Sequence, residues 1–439
     1  MTKWWSDRIR EERGVALVLA LMVLLTLTGL VLAFLSVSAF EPQISRNQSD
    51  TARARYVAEA GVEYAYNELV TNSTIWDTYL AGATCSQGAV LGSANSTLPG
   101  LTSAAGTFTV RVRNDCQAGD DKITGVAVES SGNATDDTND HVIVVASGTL
   151  GNATRSITTV VKKTPVPPMN GALSFPGLQA DINFSGSAFT IDGRDYLMSD
   201  APGSPTGTAD PVYGIAVNDS LPALETQVES ALAGNQDNSI YGKSESGTPP
   251  GSGNDAINTD STLTSTSIAD FVNALKQYAD ITINTSPGNT HSISSVGSSC
   301  ASSWSSSTCW GTTAKPKVVY VNGTLPDLTT QYTSLDISGT SQGTGILIVE
   351  NGNVDISGNF HWNGPIIVTG NNVGIRYAGG GSQSVYGSVV VNELNDDGTA
   401  NVEGDVRGNA SMLYSRQALQ LVEDALSRRL VTSYSWTDQ

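Results

Sequence analysis

Across 439 residues the chain carries 42 acidic and 23 basic side chains, a formal charge of −19 at neutral pH. That length allows about two or three folding units, and that charge excludes a nucleic-acid groove, which needs concentrated cations to displace counterions from phosphates. Charged residues make up 15% and hydrophobic ones 39%, with much of the rest Gly, Ser, Thr and Asn. This composition fits neither a disordered acidic tail nor a typical cytosolic enzyme; it suits short strands joined by tight turns.

The first 14 residues form a polar leader in which Lys3, Arg8, Arg10 and Arg13 outnumber Asp7, Glu11 and Glu12. From Gly14 through Phe40 no charge occurs, and Val15–Phe40 is mostly apolar. A helix of about 20 such residues crosses a membrane, and the run exceeds the roughly 7–15 residues of a secretory signal core. Basic residues before it and Glu41 after it predict a single-pass anchor with the leader cytoplasmic and the body outside.

The junction Glu12-Arg13-Gly14, followed at once by Val15-Ala-Leu-Val-Leu-Ala-Leu, resembles the class III signal of type IV prepilins and pseudopilins. The resemblance implies cleavage after Gly14 by a prepilin peptidase, leaving Val15 as the new N-terminus, with methylation as the accompanying modification. It also implies that a Glu at the fifth mature position would pair with a neighbouring subunit's amine; Leu19 stands there instead, as in subunits proposed to sit at a filament tip. Arg55-Tyr-Val-Ala-Glu-Ala-Gly-Val-Glu-Tyr-Ala65 extends the likeness to PilX-like minor pilins and pilus assembly proteins, over about the first 70 residues. Pro42 predicts a kink or break. Helix then resumes to about Val70, with Ala58, Val62, Ala65 and Leu69 on one stripe that would pack on the body or on neighbouring pilin helices.

Residues 71–163 read as a small β headpiece. Runs at Thr107–Arg113, Ile123–Glu129, His141–Ala146 and Arg155–Val161 supply its strands. Thr164-Pro-Val-Pro-Pro168 marks a linker over 164–170. A β-rich domain over 171–410 follows, containing an insertion at about 200–315 with helical islands at Ala223–Ala233 and Ile268–Tyr278. Runs starting at Gly345, Pro365 and Ser388 recur about 20 residues apart, with further runs at Val318 and Ile182, and predict a β-solenoid. Over 411–439, Leu419, Val422, Leu426 and Leu430 predict a helix that would cap the solenoid end. The fold class is therefore α+β: a long N-terminal helix, a mainly β body that includes a solenoid, and a short C-terminal helix.

The four cysteines lack metal-site spacing and allow two local disulfides, Cys85–Cys116 and Cys300–Cys309, as in an oxidising compartment. Trp304 inside the second loop and Trp310 after it make that loop a candidate for adhesive contact. His141, His291 and His361 form no metal motif, and no metal-ligating residue is assigned. Gly339-Thr-Ser-Gln-Gly343 matches a nucleophile elbow only in letters, and Gly379-Gly-Gly-Ser382 reads as a turn. No cofactor is expected; Ca²⁺ is the one ion that the acidic loops Asp136–Asp140 and Asn395–Thr399 would suit.

Together these readings predict a non-enzymatic minor pilin of a type IV pilus, in the tip or initiation complex, displaying a β-rich head for assembly or adhesion. Its partners would be major and minor pilins, the prepilin peptidase, the inner membrane before assembly, and a tip adhesin or surface ligand. The body would be periplasmic and then extracellular. The alternatives are a minor pseudopilin of type II secretion, and a membrane-anchored envelope β-solenoid hydrolase or carbohydrate-binding protein.

Overall fold

A computed structural model describes residues 3–71, 76–126, 128–130, 132–324, 331–395 and 402–438, and all side chains of these except 3–14, 39 and 247–249. The chain divides into two compact units, Met1–Lys162 with Ser433–Gln439, and Lys163–Thr432. The fold is α+β.

In the first unit, helix α1 runs from Lys3 to Thr71. No break occurs at Pro42, which lies inside it; the expected interruption is absent because one lost hydrogen bond is outweighed by continuous helix on both sides. Strands β1 (Ala89–Thr97), β2 (Thr107–Asn114), β3 (His141–Leu150) and β4 (Ala153–Lys163) form an antiparallel sheet in chain order. Ala54, Val57, Ala58, Val62, Ala65 and Leu69 of α1 are buried, as are Phe108, Val110, Val144 and Ala146 of β2 and β3. Small residues set the closeness of this contact. A Cβ on Gly148 would collide with the backbone of Ala54 and Ala58, and one on Gly61 would press on Ala146, Phe108 and Val110. Ile123–Glu129, expected as a strand, contributes none among its described residues. Gly125 takes a φ of +89°, which ends the alternation, and the backbone is tied by turn bonds such as Ile123 N–H to the Asp120 carbonyl. The sheet instead takes β1, an edge strand with a bulge between Leu91 and Ser96 and few buried residues, so alternation does not reveal it.

The second unit opens with β5 (Gly171–Phe175), β6 (Ile182–Ser185), β7 (Thr190–Asp192) and β8 (Tyr213–Asn218). Helix α2 (Ala223–Ala231) leads to β9 (Ile240–Ser244), β10 (Gly247–Ser252) and β11 (Ile257–Asp260). After helix α3 (Ser265–Lys276) come β12 (Ile281–Thr285), β13 (His291–Ser294), β14 (Lys317–Gly323), β15 (Thr333–Ser338) and β16 (Thr340–Glu350). They are followed by β17 (Asn353–Ile356), β18 (Asn359–Asn371), β19 (Ile375–Asn395), β20 (Gly404–Tyr414) and helix α4 (Arg416–Leu430). These strands stack as successive turns of a coil through parallel ladders. One ladder runs β12-β14-β16-β18-β19-β5-β8-β11. Its register places Ile281, Val319, Leu347, Ile366, Val389, Leu173, Ile215 and Ile257 in one aliphatic column. A second ladder joins β13, β15, β17, β19, β20 and β6, and a third joins β16, β18, β19, β20, β7 and β9. At the corner entering the first ladder, Gly345, Gly364 and Gly387 all have φ between +121° and +147°. A side chain on each would strike the backbone of the preceding rung, so only glycine turns the chain there.

The chain order of this stack is not its spatial order. The chain enters at β5, inside the stack, winds outward to β11, passes through α3 to β12 at the opposite end, and winds back to β19 and β20 beside its entry. Residues 200–315, expected as an insertion, therefore supply rungs of the coil itself. Residues 164–170, expected as a Pro-rich linker at a domain boundary, begin just after the division at Lys162/Lys163 and pack on the second unit: Met169 is buried and Val166 lies against the core. The Thr164 N–H donates to the Leu430 carbonyl at 2.7 Å, bringing the two ends of the unit together. Helix α4 covers β18 and β19 rather than an open end, because its Leu419, Val422, Leu426 and Leu430 complete the same core as Ile268, Phe271, Val272 and Leu275 of α3. Arg429 at its C-terminal end holds Asp280 through two bonds of 2.8 and 2.9 Å. The final strand, β21 (Val431–Asp438), returns to the first unit as the neighbour of β4. The coil is thus inserted between two adjacent strands of the head sheet.

Two core substitutions check this packing. Leu347→Ala, in the aliphatic column, is expected to destabilise the coil by about 2–5 kcal/mol; Gly148→Val, facing α1, is expected to destabilise the head by about 2 kcal/mol or more. Scanning calorimetry of the purified chain would show each as a lower transition temperature for its own unit.

Candidate functional site

The apolar segment of α1 is the most unusual surface of the molecule. Every described side chain of Val15–Phe40 is exposed, including Val15 at 62%, Leu19 at 58% and Phe34 at 67%. Gly14 and Val15 lie on the same continuous helix, with no turn separating leader from anchor. The segment contains a window of mean hydropathy 2.8, none of it buried, long and apolar enough to cross a membrane. Since each such side chain gains roughly 1.5–3 kcal/mol on leaving water, the run demands cover from lipid or neighbouring helices. Where α1 meets the head, Ile44, Gln48, Arg55 and Tyr56 line an open groove of about 910 Å³ together with Arg155 and Asp438. Arg55 pairs there with Glu59 and Asp438, both at 3.2 Å. This groove was not legible in the sequence, because it needs β4 and the last strand beside one helix.

The cysteines pair as two local bridges. Cys85–Cys116 has a Cα separation of 5.1 Å and closes 31 residues; Cys300–Cys309 has 4.7 Å and closes 9. Loop closure of these lengths contributes roughly 4 and 2.5 kcal/mol in the chain-entropy account. Lys317, only 4% exposed, pins the second loop by donating to the carbonyls of Trp304 at 2.7 Å and Cys309 at 2.8 Å. Burial pushes its ammonium pKa down, with the Asp280 charge opposing. Trp310 is fully buried, with its ring against Trp362, whereas Trp304 stays 37% exposed under the Lys317 ammonium, 4.4 Å from the ring centre.

The residues singled out for chemistry serve structure. Ser341 in Gly339–Gly343 is buried, donates to the Ser338 carbonyl and accepts the Val296 N–H, so it stitches two rungs. Gly379, Gly380 and Gly381 all take positive φ at a bend inside β19. His141 sets Nδ1 against the Asn139 carbonyl at 2.5 Å, and His361, its pKa lowered by burial, lies against the Tyr386 ring. The Asn395–Thr399 loop lies outside the described residues apart from Asn395.

The Asp136–Asp140 loop is organised by its own backbone. Asp137 accepts the N–H groups of Asn139 and His141, and Glu129 accepts from Thr138 and Asn133. Although burial pushes Glu129 up, the bonds from Asn133, Thr138 and Asn114 hold it below the ordinary carboxylate range. Burial, and then repulsion from Asp140, push Asp137 up to about 7. Elsewhere, Glu225, Glu229 and Glu245 bring carboxylate oxygens within 4.8 Å of one another at a partly exposed surface.

No family model and no curated protein matches the chain. Among solved structures, the competence-associated pilin ComZ from Thermus thermophilus aligns over 89% of this chain and 98% of that chain, with 11% sequence identity and a TM-score of 0.26. Similarity at that level establishes neither fold nor function for this chain.

Asp137 yields a pH test. Its folded pKa of about 7 lies above the ordinary 3.8, so the folded head keeps a proton that the unfolded chain releases between those values. Stability is therefore lost as pH rises through that window. Asp137→Asn keeps the acceptor oxygen and removes the charge. It is expected to melt level with the wild type near pH 4 and above it at pH 8, as followed by the thermal transition of the head.

Proposed function

We propose that this chain is a minor pilin of a type IV pilus, a structural subunit without catalytic role that displays a large β-rich body at or near the filament tip. The observation that carries the reading is the division of labour along α1. One unbroken helix joins a fully exposed apolar segment at Val15–Phe40 to a segment packed on a small antiparallel sheet. An apolar helix bare on all sides fits first a bilayer and then the packed helices of a filament. The Glu12-Arg13-Gly14 junction supports processing after Gly14 by a prepilin peptidase on the cytoplasmic side. Leu19, where an acid would pair with the next subunit, supports a place with no subunit above it. The groove at Arg55 and Tyr56 is a surface on which a neighbouring pilin helix would lie. The inserted coil, stapled at Cys300–Cys309 and exposing Trp304, is the part offered outward for adhesion or assembly.

N-terminal sequencing and intact mass of the protein from cells with and without the prepilin peptidase test the reading. The expected result is a terminus at Val15 only when the peptidase is present; an uncut chain in both strains refutes it. Immunogold on sheared filaments is expected to label ends, and label along shafts would remove the tip assignment while leaving the pilin reading intact.

A further inference from the structure

The coil has two ends, and the fold finishes them differently. At one end the first ladder stops at β11, which pairs only with β8 among the described strands. Helix α2 packs on it: Leu224 and Val228 are buried, and Ile257, the last side chain of the aliphatic column, is 0% exposed. At the other end the terminal rung is made by β12 and β13, joined to the stack through β14 and β15 respectively. No described strand pairs with their outer edges. Ile281, Ile283 and Ile293 stand in register with Val319, Val321 and Ile337, yet they stay half-buried where those three are 0% exposed. The apolar columns therefore run out open at this end, and its rung lacks the second neighbour that every inner rung has.

Free strand edges are normally guarded by charge, proline or a bulge, because each is a template for another strand. This edge has none of these. Strand β12 reads Ile-Thr-Ile-Asn-Thr and β13 His-Ser-Ile-Ser, and both pair in unbroken register. No Asp, Glu, Lys or Arg occurs from Ile281 to Ala314. That stretch spans the whole end rung, including the Cys300–Cys309 loop on its third side, where the Val296 and Trp310 carbonyls accept the Gln342 and Thr344 N–H groups of β16. Two copies of a chain with a formal charge of −19 repel one another, and an uncharged rung is a place where they meet without opposing like charges.

The sequence of β12 also suits itself. Turned antiparallel about Ile283, the strand sets Ile283 against its own copy, Ile281 against Thr285, and exposed Thr282 against exposed Asn284. A two-fold axis through the strand keeps inward side chains inward in both copies, so the isoleucines left open in one coil are covered by those of the other. We propose that the β12 edge is a self-association surface: two copies of the chain pair β12 with β12 across a two-fold axis and close each other's open coil end. Because α2 occupies the far end, this pairing stops at two copies. It concerns the second unit alone and stands independently of any filament role.

The test is sedimentation of the purified full chain in detergent over a range of concentrations, with variants that separate this edge from association through α1. The wild type is expected to form a reversible dimer. Thr282→Lys combined with Asn284→Lys sets lysine against lysine at exposed positions and is expected to raise the dimer Kd about tenfold or more. Its coil should melt level with the wild type when both are measured as monomers. Ile283→Cys, on the axis, is expected to give a covalent dimer under mild oxidation, since directly opposed Cβ atoms lie about 4.5–5.5 Å apart. Thr290→Cys, in the exposed turn before β13, is expected to give none. If the double lysine variant does not fold, the two cysteine variants carry the test by themselves. A wild type that stays monomeric at roughly 0.1 mM overturns the proposal. A dimer that ignores the lysines, and in which Ile283→Cys does not cross-link, places the contact on α1 and overturns it equally.

Discussion

The coil depends on one column of aliphatic side chains, one per turn of chain, running from Ile281 through Val319, Leu347, Ile366, Val389, Leu173 and Ile215 to Ile257. No single turn could bury its apolar face alone, so each rung is stable only against its neighbours. The glycines at 345, 364 and 387 serve the same column. By letting the backbone bend where a Cβ would strike the rung before it, they keep successive strands in register.

Column and chain order conflict at one place, and much of the architecture follows from it. Leu173 and Val389 are neighbours in the column yet lie at opposite ends of the second unit's sequence. That juxtaposition puts entry and exit of the coil side by side, as the Thr164–Leu430 bond records. A domain whose ends meet can be inserted in a sheet without separating the flanking strands, and β4 and β21 are such a pair. The return from β11 to β12 must then span the stack, and helix α3 occupies that return while burying Phe271 and Leu275 in the common core.

The head solves a different problem with the same economy of side chains. Alanines and glycines at 54, 58, 61, 146 and 148 bring α1 close to β3, so one helix serves as both core element and exposed apolar rod. In the Asp136–Asp140 loop, Asp137 is held by backbone donors rather than by a basic partner. Asp137 is nevertheless pushed up, by burial and then by repulsion from Asp140, against the lowering effect of those backbone donors.

Local chemistry was sufficient for the elements whose signal is local. The uncharged run after Gly14, the stripe at Ala58, Val62, Ala65 and Leu69, the cysteine spacings and the recurrence at Gly345, Pro365 and Ser388 could all be read directly, because period and composition carry them. Strand β1 escaped, since an edge strand needs no buried alternation. The rungs within 200–315 escaped as well, since their apolar partners are supplied by distant segments. The pairing of β5 with β19, the place of α4 on the flank and the return of β21 to the head were decided only by tertiary structure. Each joins residues far apart in the chain, and which turn stacks on which is settled by burying a shared apolar column, not by any property of the segments taken singly.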